Sequence, residues 1–249
     1  MAHPAFEALA HRPFALPRAP WVMRMRWLDL ALLHWPVPAA VLRPHVPAAL
    51  ELDEHGGAAW IAVVPFRMAG VRARWLPPLP GTGSFAELNV RTYVRHRGVR
   101  GVWFFSLDAE SRLAVRAARA SFRLPYFDAR MSCRRDGDRV HYHSERYHRG
   151  APPAAFAARW WRTGAVTVPL PDTLTHWFVE RYALFTTARD GSLRIGHIHH
   201  APWQLMPATA ELERCDMTRL CGLDLRSEPL FVHAALPLDV VAWAPRRVR

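Results

Sequence analysis

The chain has 249 residues, of which 51% are apolar and 11% aromatic, so it is long enough to bury a sizeable core in one large domain. Its formal net charge is +12, and all 33 basic residues are arginine because the sequence contains no lysine. A lysine Schiff base, lysine-bound pyridoxal phosphate and a P-loop are therefore excluded.

The excess of arginine has two interpretations. The absence of lysine and the abundance of Ala and Pro are typical of a GC-rich coding sequence, and the arginines are spread along the chain. The alternative is a nucleic-acid-associated protein, which would need a contiguous basic face. The compositional interpretation is favoured, and nucleic acid is not expected as a partner.

The cysteines and the N-terminal segment indicate a cellular compartment. The three cysteines, Cys133, Cys215 and Cys221, show no CxxC spacing, which predicts free thiols in a reducing cytoplasm. The N-terminal segment lacks the continuous apolar stretch of a secretory signal. No apolar run approaches the roughly 18 residues of a membrane span, so no membrane partner is expected.

Two regions are distinguished along the chain. Residues 1–22 are rich in Pro and His and are assigned to an N-terminal arm, predicted to be irregular or to form one short helix at residues 5–10. Residues 23–249 are assigned to a single domain. No internal repeat or low-complexity linker divides it.

The domain opens with extended segments. A strand is predicted over residues 23–35, ended by Pro36 and Pro38. A long apolar strand follows over residues 58–71. Pro65 and Gly70 within it each indicate an edge strand or a bulge. The segment 72–83, rich in Pro and Gly, is predicted to be a loop over a site.

The stretch from residue 83 to residue 128 carries an unusual polar pattern. Strands are predicted over residues 85–96 and 102–109, joined by a tight turn at Arg97-Gly98. On the first strand Glu87, Asn89 and Arg91 alternate with apolar side chains and therefore share one face with Tyr93. On the second strand one face is expected to carry Trp103, Phe105 and Leu107.

The remaining segments are short. The patterns predict helices over 111–120 and 174–182, and strands over 126–134, 139–146, 155–162, 185–188, 192–200, 205–213, 230–235 and 239–243. Frequent turns and the absence of βαβ alternation predict a mostly β (α+β) fold, an antiparallel sheet or barrel with a few short helices.

The polar face at Glu87, Asn89 and Arg91 has two interpretations. Neighbouring side chains on such a face are about 6.5–7 Å apart, so they could line a cavity. Arg91 would then bind a carboxylate or carbonyl ligand and Glu87 would act as general base or hydrogen-bond acceptor. The alternative is a solvent-facing salt-bridge ladder, which contributes little stability.

The histidines between residues 197 and 200 suggest a metal site, but their number and spacing do not predict one. His197 and His199 would share a strand face, but no third ligand follows at a fixed spacing, so no metal is predicted. His200 with Trp203 is instead a candidate for a cavity rim. The side chains of His141, His143 and Glu145 alternate along one strand and are expected on a solvated face.

Motifs for cofactor binding and hydrolysis are absent from the sequence. Without GxGxxG or GxSxG, neither a dinucleotide cofactor nor a serine-hydrolase site is supported, and no cofactor is predicted.

The order of features resembles a known superfamily. Phe85-Ala-Glu87-Leu, a hairpin, a helix carrying Arg119 and then Pro125 entering the next strand resemble the acetoacetate decarboxylase-like superfamily. The chain is also similar to the YqjF-like bacterial proteins of unknown function within it. The motifs carrying that likeness are Trp27 through Trp35-Pro36-Val37, Glu87-Leu-Asn89-Val-Arg91-Thr-Tyr93, Gly101-Val-x-Phe-Phe-Ser106-Leu-Asp108, His199-His200-x-Pro202-Trp203 and Asp239-Val-Val-x-Trp243.

The resemblance implies a cone-like β-barrel with a small-molecule cavity, and a homodimer or larger homo-oligomer. Where the superfamily motif has two lysines, this chain has Tyr126 and Phe127. Decarboxylation through a lysine Schiff base is therefore excluded. Glu87 and Tyr126 are the candidate catalytic residues, and the candidate ligand-binding residues are Glu87, Asn89, Arg91, Arg119, Tyr126, His200 and Trp203.

Whether the protein is an enzyme stays open at this point. The first hypothesis is a small-molecule-binding barrel acting on a small organic acid or carbonyl compound without a covalent amine. The second is a ligand sensor or carrier with the same pocket and no turnover. The third is the arginine-rich nucleic-acid-associated protein.

Overall fold

The structure is a computed structural model that describes residues 3–77, 83–225 and 228–248. Its described residues contain fifteen strands that belong to one sheet. The strands are β1 Met23–Leu28, β2 Ala31–Val37, β3 Glu51–Leu52, β4 Ala59–Ala73, β5 Ser84–His96, β6 Val99–Ala109, β7 Tyr126–Asp136, β8 Arg139–Arg146, β9 Ala155–Arg162, β10 Ala183–Thr187, β11 Leu193–His200, β12 Leu205–Cys215, β13 Phe231–Ala235, β14 Leu238–Ala242 and β15 Arg246–Arg247.

Helices are few and short. The α-helices are α1 Ala39–Leu42, α2 Arg112–Ser121 and α3 Leu174–Val179, and 3-10 turns occur at Pro4–Phe6, Arg43–His45 and Met217–Cys221. Ser111 caps α2 by accepting the Ala114 amide, and Thr173 caps α3 in the same way. None of the described helices is long and apolar enough to span a membrane.

The sheet closes on itself twice. One closed ring, the first barrel, runs β1–β14–β11–β10–β6–β5–β4 and returns to β1. A second ring, the second barrel, shares β4, β5 and β6 and continues through β7, β8, β9, β12, β13 and β2. Pairing is antiparallel except at β10–β6 and β6–β7 among the described strands. The predicted mostly β, largely antiparallel architecture is confirmed.

The strands shared by the two barrels, β4, β5 and β6, are largely buried on both faces, and each face packs into the core of one barrel. On β5, Phe85 and Tyr93 pack in the core of the first barrel, while Leu88 and Val90 pack in the core of the second. Because side chains alternate along a strand, Glu87, Asn89 and Arg91 lie on the same face as Tyr93. The polar face predicted from the sequence therefore belongs to the first barrel.

Two predictions for β1, β2 and β4 are wrong. The single strand expected over 23–35 is two strands, separated at Asp29, whose φ of 51° is incompatible with an extended chain. Pro65 lies on a central strand and not on an edge: β2 pairs with β4 up to Val63, β1 pairs with it from Arg67, and Pro65 falls in the gap between them. There its missing N–H disrupts neither ladder.

The bulge predicted at Gly70 is confirmed, because the β1–β4 register shifts between Arg24 and Arg26 and Gly70 has a φ of 60°. A second bulge, in β6, was not predicted. Val90 pairs with Ser106 but Arg91 pairs with Phe104, so Phe105 is an extra residue.

The predicted shared face of β6 is therefore wrong. Leu107 packs in the first barrel, but Trp103 and Phe105 turn toward a separate cluster around Phe185.

The N-terminal arm packs on the outside of the first barrel. Its helical segment is the 3-10 turn Pro4–Phe6 and not a helix over residues 5–10. Ala5 packs against Val241 and Trp243, and the Trp243 indole donates to the carbonyl of Ala19 at 2.7 Å. The predicted loop over the site falls partly on residues 78–82, which lie outside the described residues.

Candidate functional site

The central feature of the first barrel is a buried carboxyl group bonded to a phenol. Glu87 lies near the start of β5, opposite Phe66 of β4 and Ala109 of β6. Strand β7 runs parallel to β6 and places Tyr126 beside Leu107. The Tyr126 hydroxyl donates to both Glu87 carboxyl oxygens at 3.1 Å. Only 1% of Glu87 and 7% of Tyr126 is exposed.

Burial sets the protonation state of this pair. Loss of hydration raises the pKa of Glu87 from 4.5 to about 8, although the Tyr126 hydrogen bond acts in the opposite direction. The pKa of Tyr126 lies well above its usual value because of burial and because of the neighbouring Glu87. At neutral pH Glu87 is therefore mostly a neutral carboxylic acid, which can donate a hydrogen bond or a proton as well as accept one.

Asn89 and Arg91 extend the polar face beyond Glu87. Asn89 is buried, and its Oδ1 atom has no hydrogen-bond partner among the described protein atoms. Arg91 is half-buried beside Tyr93, with its guanidinium carbon 5.8 Å from the ring centroid. The backbones of Glu87 and Arg91 are separated by about 13 Å, because each pair of strand residues advances the chain by about 6.5–7 Å.

The solvent-facing ladder expected as an alternative is wrong for Glu87 and Asn89, since both are buried. Arg91 belongs to a neighbouring polar group. A ligand that contacts both Glu87 and Arg91 would have to extend past Asn89, which lies between them on β5.

His34 completes that neighbouring group and was not predicted. Its Nε2 atom is hydrogen-bonded to the Tyr93 hydroxyl at 2.7 Å, and its ring stacks on Phe178 at 3.8 Å. Burial, together with Arg91 nearby, holds the pKa of His34 well below 6.5, so the imidazole is neutral. The signal available in the sequence was a lone histidine within the apolar strand β2.

Arg119 does not join Glu87. It lies exposed in the last turn of α2, and its Nη1 atom donates to the backbone carbonyl of Tyr126 at 2.6 Å. Arg119 is thus connected to Tyr126 through the backbone, on the outside of the barrel wall.

His200 and Trp203 are both buried. Their ring centroids are 5.1 Å apart. His200 Nδ1 is hydrogen-bonded to the carbonyl of Ala201, and the Trp203 indole donates to the carbonyl of Val179 at 3.0 Å. Trp203 packs in the same core as Tyr126. A role for either residue in ligand binding stays a prediction.

The neighbouring histidines of β11 contact the N-terminal arm. Arg12 donates to the carbonyl of Ile198 at 2.7 Å and lies 3.2 Å from His199 Nδ1. Burial and the Arg12 charge lower the pKa of His197 and of His199 to about 4. Across residues 3–77, 83–225 and 228–248 no group of three or more His, Cys, Asp or Glu side chains could hold a metal ion.

The second barrel contains a buried ion pair that sequence reasoning missed. Arg146 donates to Asp108 at 2.6 Å, and neither side chain is exposed. The Arg146 guanidinium also lies 4.2 Å from the centroid of the Phe127 ring. An aspartate and an arginine in separate strands give no spacing signal, so only the pairing of the strands shows that they meet.

The other expectations concern side chains away from this site. The three cysteines are free thiols, as predicted. His143 and Glu145 are exposed on β8, and His141 is partly exposed, so the polar face of that hairpin is confirmed.

Comparison with known proteins places the chain in a family. The profile of DUF2071, described as an uncharacterized conserved protein, matches residues 24–239. The uncharacterized protein YqjF of Bacillus subtilis (strain 168) is 42% identical over 241 residues, which cover 97% of this chain and 98% of that protein.

Solved structures share the fold at low sequence identity. The enduracididine biosynthesis enzyme MppR with HEPES bound has a TM-score of 0.63 at 11% identity, covering 92% of this chain and 88% of MppR. Acetoacetate decarboxylase from Legionella pneumophila has a TM-score of 0.60 at 14% identity, covering 96% and 94%. The chain therefore has an acetoacetate decarboxylase-like fold, as the sequence motifs predicted.

Proposed function

The chain belongs to the DUF2071 family of uncharacterized conserved proteins, and we propose that it is an enzyme that binds a small organic acid or carbonyl compound inside its first barrel. The observation that carries this proposal is the buried Glu87 carboxyl group, bonded to Tyr126 and held with a pKa of about 8. Burying an acid unpaired with a cation costs stability, and such costs are concentrated at functional sites. Two relatives in fold are named as enzymes, and one of these, MppR, has been captured with pyruvate.

The chemistry proposed is proton transfer without a covalent intermediate. A group with a pKa of about 8 exchanges protons efficiently near neutral pH, because it is neither fully charged nor held in one form. Neutral Glu87 would donate its proton to a ligand carbonyl or carboxyl oxygen. Tyr126 would orient the carboxyl group, and Asn89 Oδ1, which lacks a partner among the described atoms, would accept a ligand hydroxyl or acid proton.

The mechanism must differ from amine catalysis. The sequence has no lysine, and Tyr126 and Phe127 follow Pro125 where the superfamily motif carries two lysines. The Tyr126 phenol has no amine nitrogen and therefore cannot form a Schiff base with a ketone. Substrates whose reaction requires an iminium intermediate are therefore excluded, and acid–base steps on the carbonyl group itself are favoured.

The test is a thermal-shift screen of small carboxylic acids, keto acids and aldehydes, followed by a turnover assay on every hit. We expect hits to lose at least tenfold in affinity in both Glu87→Gln and Tyr126→Phe. The matched control is Glu145→Gln, which removes an exposed carboxylate on β8 and should change nothing. Hits that bind equally to all variants would contradict a site at Glu87.

A ligand carrier or sensor is the second candidate. It is favoured by one observation. The Tyr126 hydroxyl donates to both oxygens of Glu87, so the carboxyl group is already engaged in a hydrogen bond within the protein. The turnover assay separates the two candidates. Binding that depends on Glu87, with no product formed from any hit, would favour the carrier.

A further inference from the structure

A cleft on the outside of the first barrel has the chemistry of a second binding site. It has a volume of about 510 Å³, within the roughly 300–1,000 Å³ range of small-molecule sites. One wall is α2 and the segment that leads into β7, and the other is the end of β10 with its following turn. It is lined by side chains that lie outside the Glu87–Tyr126 pair.

The bulge in β6 builds the apolar floor. Because Phe105 is an extra residue in the ladder with β5, the regular alternation of side chains is broken there. Trp103, Phe104 and Phe105 all remain partly exposed and line the cleft, beside the buried ring of Phe185. The exposed parts of these aromatic side chains give the cleft an apolar surface against which a planar group can pack.

Three arginines surround this floor. Arg119, Arg123 and Arg189 all line the cleft and are exposed, and none of the lining residues is Asp or Glu. Arg123 has a φ of 58°, and its carbonyl accepts from the Thr186 hydroxyl at 2.5 Å, which holds this unfavourable conformation in place.

Some arginines of the sheet face acids and others do not. Arg67 and Arg135, for example, share Asp29 at 2.9 and 2.7 Å. None of the three cleft arginines makes an ion pair with an acidic side chain within the described part of the chain. Their positive charge is therefore available to an anion from outside the protein.

We propose that this cleft binds an organic anion with a flat apolar body, the anionic group contacting the arginines and the body stacking on the aromatic floor. Guanidinium groups bind carboxylates and phosphates through charge-assisted hydrogen bonds. The aromatic rings exclude water from one side of the ligand and stack with its body. Neither a bare inorganic anion nor a neutral aromatic compound would satisfy both halves of the cleft.

The experiment is calorimetric titration of the full-length protein with 2-naphthoate, with its neutral analogue 2-naphthalenemethanol, and with acetate. We expect 2-naphthoate to bind at least tenfold more tightly than either control compound. The double variant Arg123→Gln/Arg189→Gln should weaken its binding at least tenfold. Arg134→Gln, on the β7–β8 hairpin and outside the cleft, should change it less than twofold.

Two further variants separate this site from the rest of the molecule. Thr187→Trp fills the cleft without changing its charge and should abolish binding, with folding checked by the melting temperature. Glu87→Gln should leave 2-naphthoate binding unchanged, so failure of the barrel site and failure of the cleft are distinguishable. The proposal is overturned if the neutral analogue binds equally well, if Arg134→Gln is as damaging as the cleft variants, or if no binding is detected.

Discussion

Replacement of Glu87 by Gln tests whether a neutral acid is buried at the centre of the first barrel. Gln has the shape of a protonated Glu and can still accept the Tyr126 hydroxyl hydrogen bond, but it cannot ionise. The pKa of Glu87 is raised from 4.5 to about 8 in the folded protein. The folded state therefore holds this proton more tightly than the unfolded state does.

The sign and size of the effect follow from linkage. Below pH 4.5 the Glu87 carboxyl group is protonated in both the folded and the unfolded state. Its burial therefore costs the least free energy of unfolding at those pH values. As the pH rises toward about 8, the unfolded state loses the proton first, and the wild-type free energy of unfolding falls. The loss is about 3 kcal/mol at pH 7 and about 4–5 kcal/mol above pH 8, since each tenfold difference in proton affinity is about 1.4 kcal/mol.

The assay is urea unfolding followed by tryptophan fluorescence at pH 5, 7 and 8.5. Glu87→Gln should lie within about 1 kcal/mol of wild type at pH 5, and should be the more stable protein at pH 8.5 by roughly 3–5 kcal/mol. Glu145→Gln, at an exposed position of β8, should follow wild type throughout. If the stability of Glu87→Gln falls with pH in parallel with wild type, Glu87 does not ionise as an isolated buried acid.

Three other substitutions, one of them with a matched control, have defined outcomes. Tyr126→Phe removes the hydrogen bond that lowers the pKa of Glu87, so that pKa should move above about 8, measured from the pH dependence of stability. Asp108→Asn leaves the buried charge of Arg146 uncompensated and should cost about 3–5 kcal/mol in urea unfolding, and a loss below 1 kcal/mol would refute a dry ion pair. Gly101→Ala would place a methyl group 2.6 Å from a backbone carbonyl of β10 and should lower the melting temperature, whereas Gly98→Ala, which meets no atom within 4 Å but has a φ of 78°, reports backbone strain alone.

The strand pattern could be predicted from the sequence because it depends on local chemistry. Alternating side chains located β5, and the Arg97-Gly98 turn located the β5–β6 hairpin. The prediction for Pro65 failed because its position depends on which strand lies alongside β4, and β1 and β2 each cover only part of it. Partner strands distant in sequence leave no periodic signal.

The candidate site was predicted in part for the same reason. Glu87 and Asn89 share a strand face that alternation shows directly, and the resemblance to a known superfamily connected Tyr126 with Glu87. His34 reaches the site from β2 and could not be placed without the pairing of β2 with β4.

The outer cleft could not be predicted at all. Its floor exists because one extra residue in β6 reverses the direction of Trp103 and Phe105, and a bulge of this kind carries no Gly or Pro signal.

The most direct test of the central claim is a crystal structure of the protein with a hit from the screen of small acids and carbonyl compounds. The account predicts that an oxygen of the ligand lies within hydrogen-bond distance of the Glu87 carboxyl group or the Tyr126 hydroxyl, inside the first barrel. The contradictory result is a ligand bound only outside the barrel, with the 3.1 Å contact between Tyr126 and Glu87 unchanged.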